Sequence, residues 1–220
     1  MRIAPEGYTT LLVVAVFSLL VVVLAGRLDT ALLRWVLQGL AIGLLLMVLT
    51  FFRDPDRVTS ASDDLIISPA DGKVVQILQE IDEQAYLKQN AVQVSIFLSP
   101  LDVHVNRVPA AGRIEYVRYH PGLSLMAWEQ DASELNERAD FGLATPEGGK
   151  LLFRQITGFL ARRIVYHLSE GDDVQTGDRF GVMKFGSRMD VVMPEGTEVL
   201  VKPGDRVTAG ITPIARWRSE

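Results

Sequence analysis

Glu170-Gly171-Asp172-Asp173-Val174-Gln175-Thr176-Gly177 returns further on as Pro203-Gly204-Asp205-Arg206-Val207-Thr208-Ala209-Gly210. Each copy reads as a Gly-Asp turn, one valine to bury and a second glycine turn. Two copies are too few for a solenoid. Paired around a central hairpin, they predict a quasi-symmetric, barrel-sandwich-like arrangement of short strands. The chain from residue 65 onward agrees, because short β-type runs alternate with Gly, Pro and Asp turns. Leu65-Ile66-Ile67, the run 74–78, the run 92–98 and the run 113–119 carry the strand pattern. The stretch 127–138 is the best helix candidate. The expected fold is α+β, mainly β, and compact.

The front of the chain is different. Residues 9–26 contain no charge, and residues 31–52 contain only Arg34. As helices these runs would span roughly 27 and 33 Å, close to a hydrocarbon core of about 30 Å. Arg34 lies near one end, where its stem lets the charge snorkel to the interface. Four residues, Arg27 to Thr30, separate the runs, so they form a transmembrane hairpin with both outer ends on one side. A secretory signal is the competing account of the first run. The second run, so close behind, favours the anchor. Arg2, Arg53 and Arg57 flank the outer ends against Arg27 in the loop, which points to a cytoplasmic domain on the cell's inner membrane. The expected divisions are a hairpin over 1–52, a linker over 53–64 and the main domain over 65–220. Removing 1–52 takes three basic and two acidic residues from 22 and 27, leaving 19 and 25 and a net charge of −6. That balance argues against nucleic acid as a partner. The absence of cysteine excludes a disulfide framework.

Between the two echoes lies Val182-Met183-Lys184-Phe185-Gly186-Ser187-Arg188-Met189-Asp190. A glycine has no Cβ, so the hydroxyl that follows Gly186 can approach its carbonyl. Read alone, the pair is more often a turn glycine and a surface serine. Other motifs change the balance. They are Ser68-Pro69-Ala70-Asp71-Gly72-Lys73, the run from Leu98 to Pro109 containing Asp102, His104, Asn106 and Arg107, Asn136-Glu137-Arg138, and Phe185-Gly186-Ser187-Arg188.

In that order, behind two apolar helices, these motifs resemble the phosphatidylserine decarboxylase family, in its short prokaryotic branch of proenzymes. The resemblance implies serinolysis between Gly186 and Ser187, giving a large chain 1–186 and a small chain 187–220 that stay together as a heterodimer. It implies that Ser187 becomes a pyruvoyl group. That ketone would capture the amine of phosphatidylserine in the bilayer and drain electrons as CO2 leaves, yielding phosphatidylethanolamine. No pyridoxal phosphate and no metal is then expected. His104 is assigned proton transfer, with Asp71 orienting or activating the base and Asp102 supporting it. Arg188, Arg138 and Arg107 are candidates for the lipid phosphate or carboxylate, since the guanidinium fork suits such groups. Leu123, Leu125, Met126 and Trp128 are candidates for an interfacial lip. Oligomeric state is left open.

Each reading has a plainer rival. His104 could be a strand histidine satisfied by Asp102, and Asp71 an ordinary turn carboxylate. His120 and His167 read as turn and strand-edge residues. Many members of the family carry a second histidine three residues after the first, where this chain has Arg107, which cannot act as a general base at neutral pH. Outside decarboxylation of phosphatidylserine, two alternatives stand: a biotinyl- or lipoyl-like carrier modified at Lys184, and a decarboxylase of an ether-linked serine lipid. An uncleaved membrane-anchored adaptor is a third.

Overall fold

Two long runs without a polar face can only form helices that are apolar all round. In the computed structural model they are α1 (Tyr8–Ala25) and α2 (Ala31–Phe51), each long and apolar enough by composition to cross a membrane. Two polar contacts staple them: Ser18 Oγ donates to the Ala41 carbonyl at 3.0 Å, and Gln38 Nε2 to the Val22 carbonyl at 3.1 Å. A short pair of strands, β1 (Arg2–Ile3) and β2 (Arg53–Asp54), ties the outer ends of this unit together. The structure describes residues 2–60, 62–123, 125–126, 132–158, 164–184 and 187–217. It divides into two units, Met1–Asp56 and Arg57–Glu220.

The second unit contains β3 (Leu65–Ile67), β4 (Gly72–Glu83), β5 (Gln89–Leu98), β6 (Val105–Arg107), β7 (Gly112–His120), α3 (Ala132–Leu135), β8 (Arg138–Ala144) and β9 (Lys150–Thr157). It continues with β10 (Ile164–Tyr166), β11 (Asp173–Val174), β12 (Arg179–Met183), β13 (Ser187–Pro194), β14 (Glu198–Val199), β15 (Arg206–Val207) and β16 (Pro213–Arg216). Eight of these form an antiparallel sheet in the order β11-β7-β8-β9-β13-β5-β4-β15, curled into a half-barrel. Two three-stranded sheets accompany it, β10-β12-β6 and β14-β16-β3. The domain is mainly β, as its alternating runs predict.

The echo has a clear place. Its two valine strands, β11 and β15, occupy the two opposite edges of the large sheet. There they meet a second echo that the sequence reading missed, Pro69-Ala70-Asp71-Gly72-Lys73-Val74 against Pro109-Ala110-Ala111-Gly112-Arg113-Ile114. Val174 pairs with Gly112, and Val207 with Gly72. The hydrogen bonds repeat. The Ile67 amide donates to the Pro109 carbonyl and the Arg107 amide to the Pro69 carbonyl, both at 2.9 Å. The Gly177 amide reaches the Val108 carbonyl, and the Gly210 amide the Ser68 carbonyl. Even the register shifts match, between Val74 and Gln76 and between Ile114 and Tyr116. Side chains are excluded at both echo glycines. A Cβ on Gly72 would stand 2.2 Å from the Phe97 carbonyl oxygen, and one on Gly112 the same distance from that of Ala144.

Two expectations are corrected. β12 and β13 do not form a central hairpin. β12 pairs with β10 and β6, whereas β13 pairs with β9 and β5, so the chain changes sheets between Met183 and Ser187. Apolar alternation runs through both strands and gives no sign of the exchange. The helix expected over 127–138 is described only as α3. Asn136 instead forms a bridge with Leu123, and Arg138 opens a strand, because the backbone there is taken up by Leu123 and Thr157.

The inner face of the half-barrel carries the core. Phe141 on β8 and Phe153 on β9 stack with centroids 5.2 Å apart, and both meet Phe180 of β12 edge-on at 5.3 and 5.2 Å. This cluster clamps the β10-β12-β6 sheet onto the large sheet. Phe153→Ala should destabilise the domain by about 3–5 kcal/mol. Denaturant unfolding of the two proteins side by side checks this, and an unchanged midpoint would remove the cluster from its clamping role.

Candidate functional site

Ser187 is the first residue of β13, the fifth strand of eight, and its neighbours are Leu98 of β5 and Thr157 of β9. Alternation puts Ser187 on the same face as Met189 and Val191, toward the core. Its Oγ is buried and has no hydrogen-bond partner among the described residues. A hydroxyl placed so gains nothing structurally, since an unmade buried hydrogen bond is a cost. Gly186, the other half of the expected cleavage site, lies outside the described residues, as does Trp128 of the expected lip.

His104 is fully buried just ahead of β6. Its Nδ1 lies 3.0 Å from the Asp102 carbonyl oxygen. A carbonyl only accepts, so Nδ1 carries the proton and Nε2 is the basic nitrogen of the neutral ring. The His104 carbonyl in turn accepts from the Met183 amide at 3.3 Å, four residues ahead of Ser187. The Asp102 carboxylate is held by Ser99 and Arg206. Oδ2 accepts from the Ser99 amide and hydroxyl at 2.8 and 2.7 Å, and Oδ1 from Arg206 at 3.1 Å. It closes the turn that aims its own carbonyl at His104.

Asp71 has a different setting. Arg57 grips both its oxygens, Nη1 to Oδ1 at 2.6 Å and Nη2 to Oδ2 at 2.8 Å, and the Ala209 amide donates to Oδ1 at 2.8 Å. The carboxylate joins the start of the domain to the second copy of the Gly-Asp echo. Arg107 is buried, and its Nη1 donates to the Gly177 carbonyl at 2.9 Å. Strand alternation sends it to the face of β6 opposite Asn106.

Arg188 and Arg138 lie on the outer face of the large sheet, opposite Ser187. Arg188 is fully buried, with Nε to Asp190 Oδ1 at 2.6 Å and Nη2 to Ser95 Oγ at 2.7 Å. Ser133 of α3 donates to the other Asp190 oxygen at 2.7 Å. Arg138 and Arg154 approach Asp140 at 3.5 and 3.6 Å, with His120 at 3.4 Å. Burial pushes the Asp140 carboxyl up, against the pull of these cations. Burial, then the charge of Arg138, pushes His120 down. Lys184, half-buried, stands where the chain passes between sheets and not at a hairpin tip. His167 is exposed after β10.

Three residues near Ser187 received no role in the sequence reading, although Asn136 and Asn106 stand in its motifs. Asn136 uses its whole amide: Oδ1 accepts from the Leu125 amide at 2.8 Å, and Nδ2 donates to the carbonyls of Leu125 at 3.0 Å and Thr157 at 2.7 Å. It thereby fixes the strand end beside Ser187. Asn106 and Gln155 are the others, and a signal for Gln155 existed. Leu151, Phe153, Gln155 and Thr157 share one face, so a polar side chain falls in an apolar row. Among the described residues no group of three or more His, Asp or Glu side chains could hold a metal ion.

Comparison with known proteins now bears on this arrangement. Residues 44–215, which include every one of these side chains, match the family model described as phosphatidylserine decarboxylase. The chain belongs to the phosphatidylserine decarboxylase family. A relative from Salinibacter ruber (strain DSM 13855 / M31), named phosphatidylserine decarboxylase proenzyme, is 55% identical over 189 residues, covering 83% of this chain and 82% of that protein. A protein of the same name from Symbiobacterium thermophilum is 48% identical over 183 residues, covering 83% and 85%. Another from Chlorobium luteolum is 40% identical over 215 residues, covering 98% and 100%. Members of this family thus extend over nearly the whole chain.

Two outcomes test the geometry. Asp190→Ala removes the carboxylate paired with Arg188 in a dry site and should cost about 3–5 kcal/mol, read as a lowered denaturation midpoint. His120 has a lowered proton affinity in the folded state, so its share of stability is complete above about pH 6.5 and is lost as pH falls below it. His120→Asn should therefore lose less stability than wild type between about pH 7 and pH 5. Parallel curves for the two proteins would refute the assignment.

Proposed function

We propose that this protein is a self-processing decarboxylase that converts phosphatidylserine to phosphatidylethanolamine, using a pyruvoyl group made from Ser187. Family membership supports the reaction. The observation that carries the local chemistry is the buried Ser187 hydroxyl, unpartnered among the described residues at the head of a central strand.

Maturation needs only this chain. Ser187 Oγ attacks the Gly186 carbonyl carbon, and the amide becomes an ester as the acyl group moves from nitrogen to oxygen. Loss of the Ser187 α-proton then breaks the Cβ–Oγ bond, so that 1–186 departs with a C-terminal carboxylate and residue 187 is left as dehydroalanine. Water adds, ammonia leaves, and a ketone remains at the new terminus. The residues present fit that group, because converting Ser187 forfeits no hydrogen bond that its Oγ makes among the described residues. When formed, the ketone supplies the electrophile for the lipid amine and a sink for the electron pair released with CO2.

The remaining work belongs to side chains. His104, with its Nδ1 proton fixed on the Asp102 carbonyl, uses Nε2 to take up a proton and return it to the product carbon. Asp102 positions that ring through its backbone. Asp71 positions the echo turn through Arg57 and Ala209, and with Arg107 committed to Gly177 the proton route is assigned to His104. Helices α1 and α2 serve as a membrane hairpin, with the domain on the cytoplasmic side. Anchoring suits a substrate whose acyl chains hold it in the bilayer at about 0.8 kcal/mol per buried methylene.

Wild type should run on a denaturing gel as chains of the masses of 1–186 and 187–220, the latter with a carbonyl-reactive terminus. Ser187→Ala should give one intact, inactive chain. An active, unbroken wild-type chain would sink the proposal. His104→Ala should lower turnover of cleaved protein at least about a hundredfold, measured as ethanolamine lipid formed.

A further inference from the structure

Asn106 and Gln155 form an amide pair that packing does not explain. Gln155 Nε2 donates to Asn106 Oδ1 at 2.8 Å, and both side chains are fully buried. Asn106 Nδ2, a donor, and Gln155 Oε1, an acceptor, have no partner among the described residues. Turning both amides over only exchanges which residue supplies which. In either setting the pair offers one unused donor and one unused acceptor, side by side and without charge.

The pair is also in the right place. Gln155 lies two residues from Thr157, the register partner of Ser187, and opposite Met189. Same-face diagonal neighbours on adjacent strands stand about 7–8 Å apart. The seat is built for it: Gly181 pairs with Asn106, and a Cβ there would stand 3.0 Å from Gln155 Nε2 and 2.3 Å from the Val165 carbonyl oxygen.

We infer that Asn106 and Gln155 recognise the amino-acid end of the substrate head group, the acceptor taking an N–H of its amine and the donor taking an oxygen of its carboxylate. This rests on the decarboxylase reading of the same site. The amine must reach residue 187 to react, so its carboxylate, one carbon away, falls within the reach of a pair at diagonal distance. A phosphate would call for a cation, and an acyl chain for an apolar wall. Neutrality also suits the reaction. A cation holding the carboxylate would stabilise the ground state most, whereas a neutral donor orients the group and lets its charge go.

The test uses the full chain carrying Asn106→Leu and Gln155→Met together, since replacing both partners by apolar groups of like volume need not harm folding. Scission is scored first on a denaturing gel. Mature protein is then treated with borohydride, which reduces the ketone and stops turnover, and is titrated calorimetrically with glycerophosphoserine and glycerophosphoethanolamine. Wild type should hold the serine compound at least tenfold tighter than the ethanolamine compound. The double variant should cleave itself, lose that preference, and show a KM for phosphatidylserine raised at least tenfold. A preference kept within twofold overturns the inference, and so does a folded variant that fails to cleave, which would move the pair into maturation. Should the double variant not fold, Gln155→Glu carries the same comparison, its added negative charge reversing the preference. Wild type that neither cleaves nor decarboxylates would instead defeat the parent reading, before any variant is compared.

Discussion

Strand β13 is held by ladders on both sides, eight register pairs with β5 and six with β9, and the domain is organised around that double hold. A central strand cannot slip by one residue, because doing so would exchange Met189 and Val191 in the core for Arg188 and Asp190. Register therefore fixes where the Ser187 hydroxyl points. It also fixes the arginine of the Gly-Ser-Arg run, whose guanidinium is the largest side chain buried to this degree among the described residues. That arginine is neutralised two residues along its own strand and secured by Ser95 on the next.

The two faces of the sheet divide the labour. Outside, arginines alternate with carboxylates from β8 through β9 to β13, and α3 adds Ser133. Inside, aromatic rings clamp a smaller sheet over the half-barrel, and its β6 brings Asn106 to Gln155, the register partner of Met189 on β13. A rigid charged back and a tightly packed front leave the polar atoms between them few ways to move, which is how a site holds groups in place before a reaction.

Much of this was legible in the chain. The Gly-Asp echo marked two short valine strands, though not their place at the sheet edges, and the apolar runs located the helices. Ser187 of the Gly-Ser pair falls at the head of a central strand. The exchange of sheets between Met183 and Ser187 was not legible, since local alternation is the same whichever partner a strand finds. The second echo, starting at Pro69 and Pro109, was hidden by the Asp71 and Ala111 difference and by a spacing unlike that of the first. The outer location of Arg188 could have been read, because Ser187 and Arg188 must face opposite ways in any strand. Gln155 needed its partner from β6 before its place in an apolar row acquired a meaning.

Residues 187–217 supply β13, β14, β15 and β16, and three of these pair with strands from earlier in the chain. With the proposed scission ahead of Ser187, that interleaving would turn ordinary unfolding into separation of two polymers. Re-forming the sheet would then be a bimolecular search, slower at every dilution. The lifetime of such a two-chain protein would be set by the barrier to opening the half-barrel, not by an equilibrium it can return to.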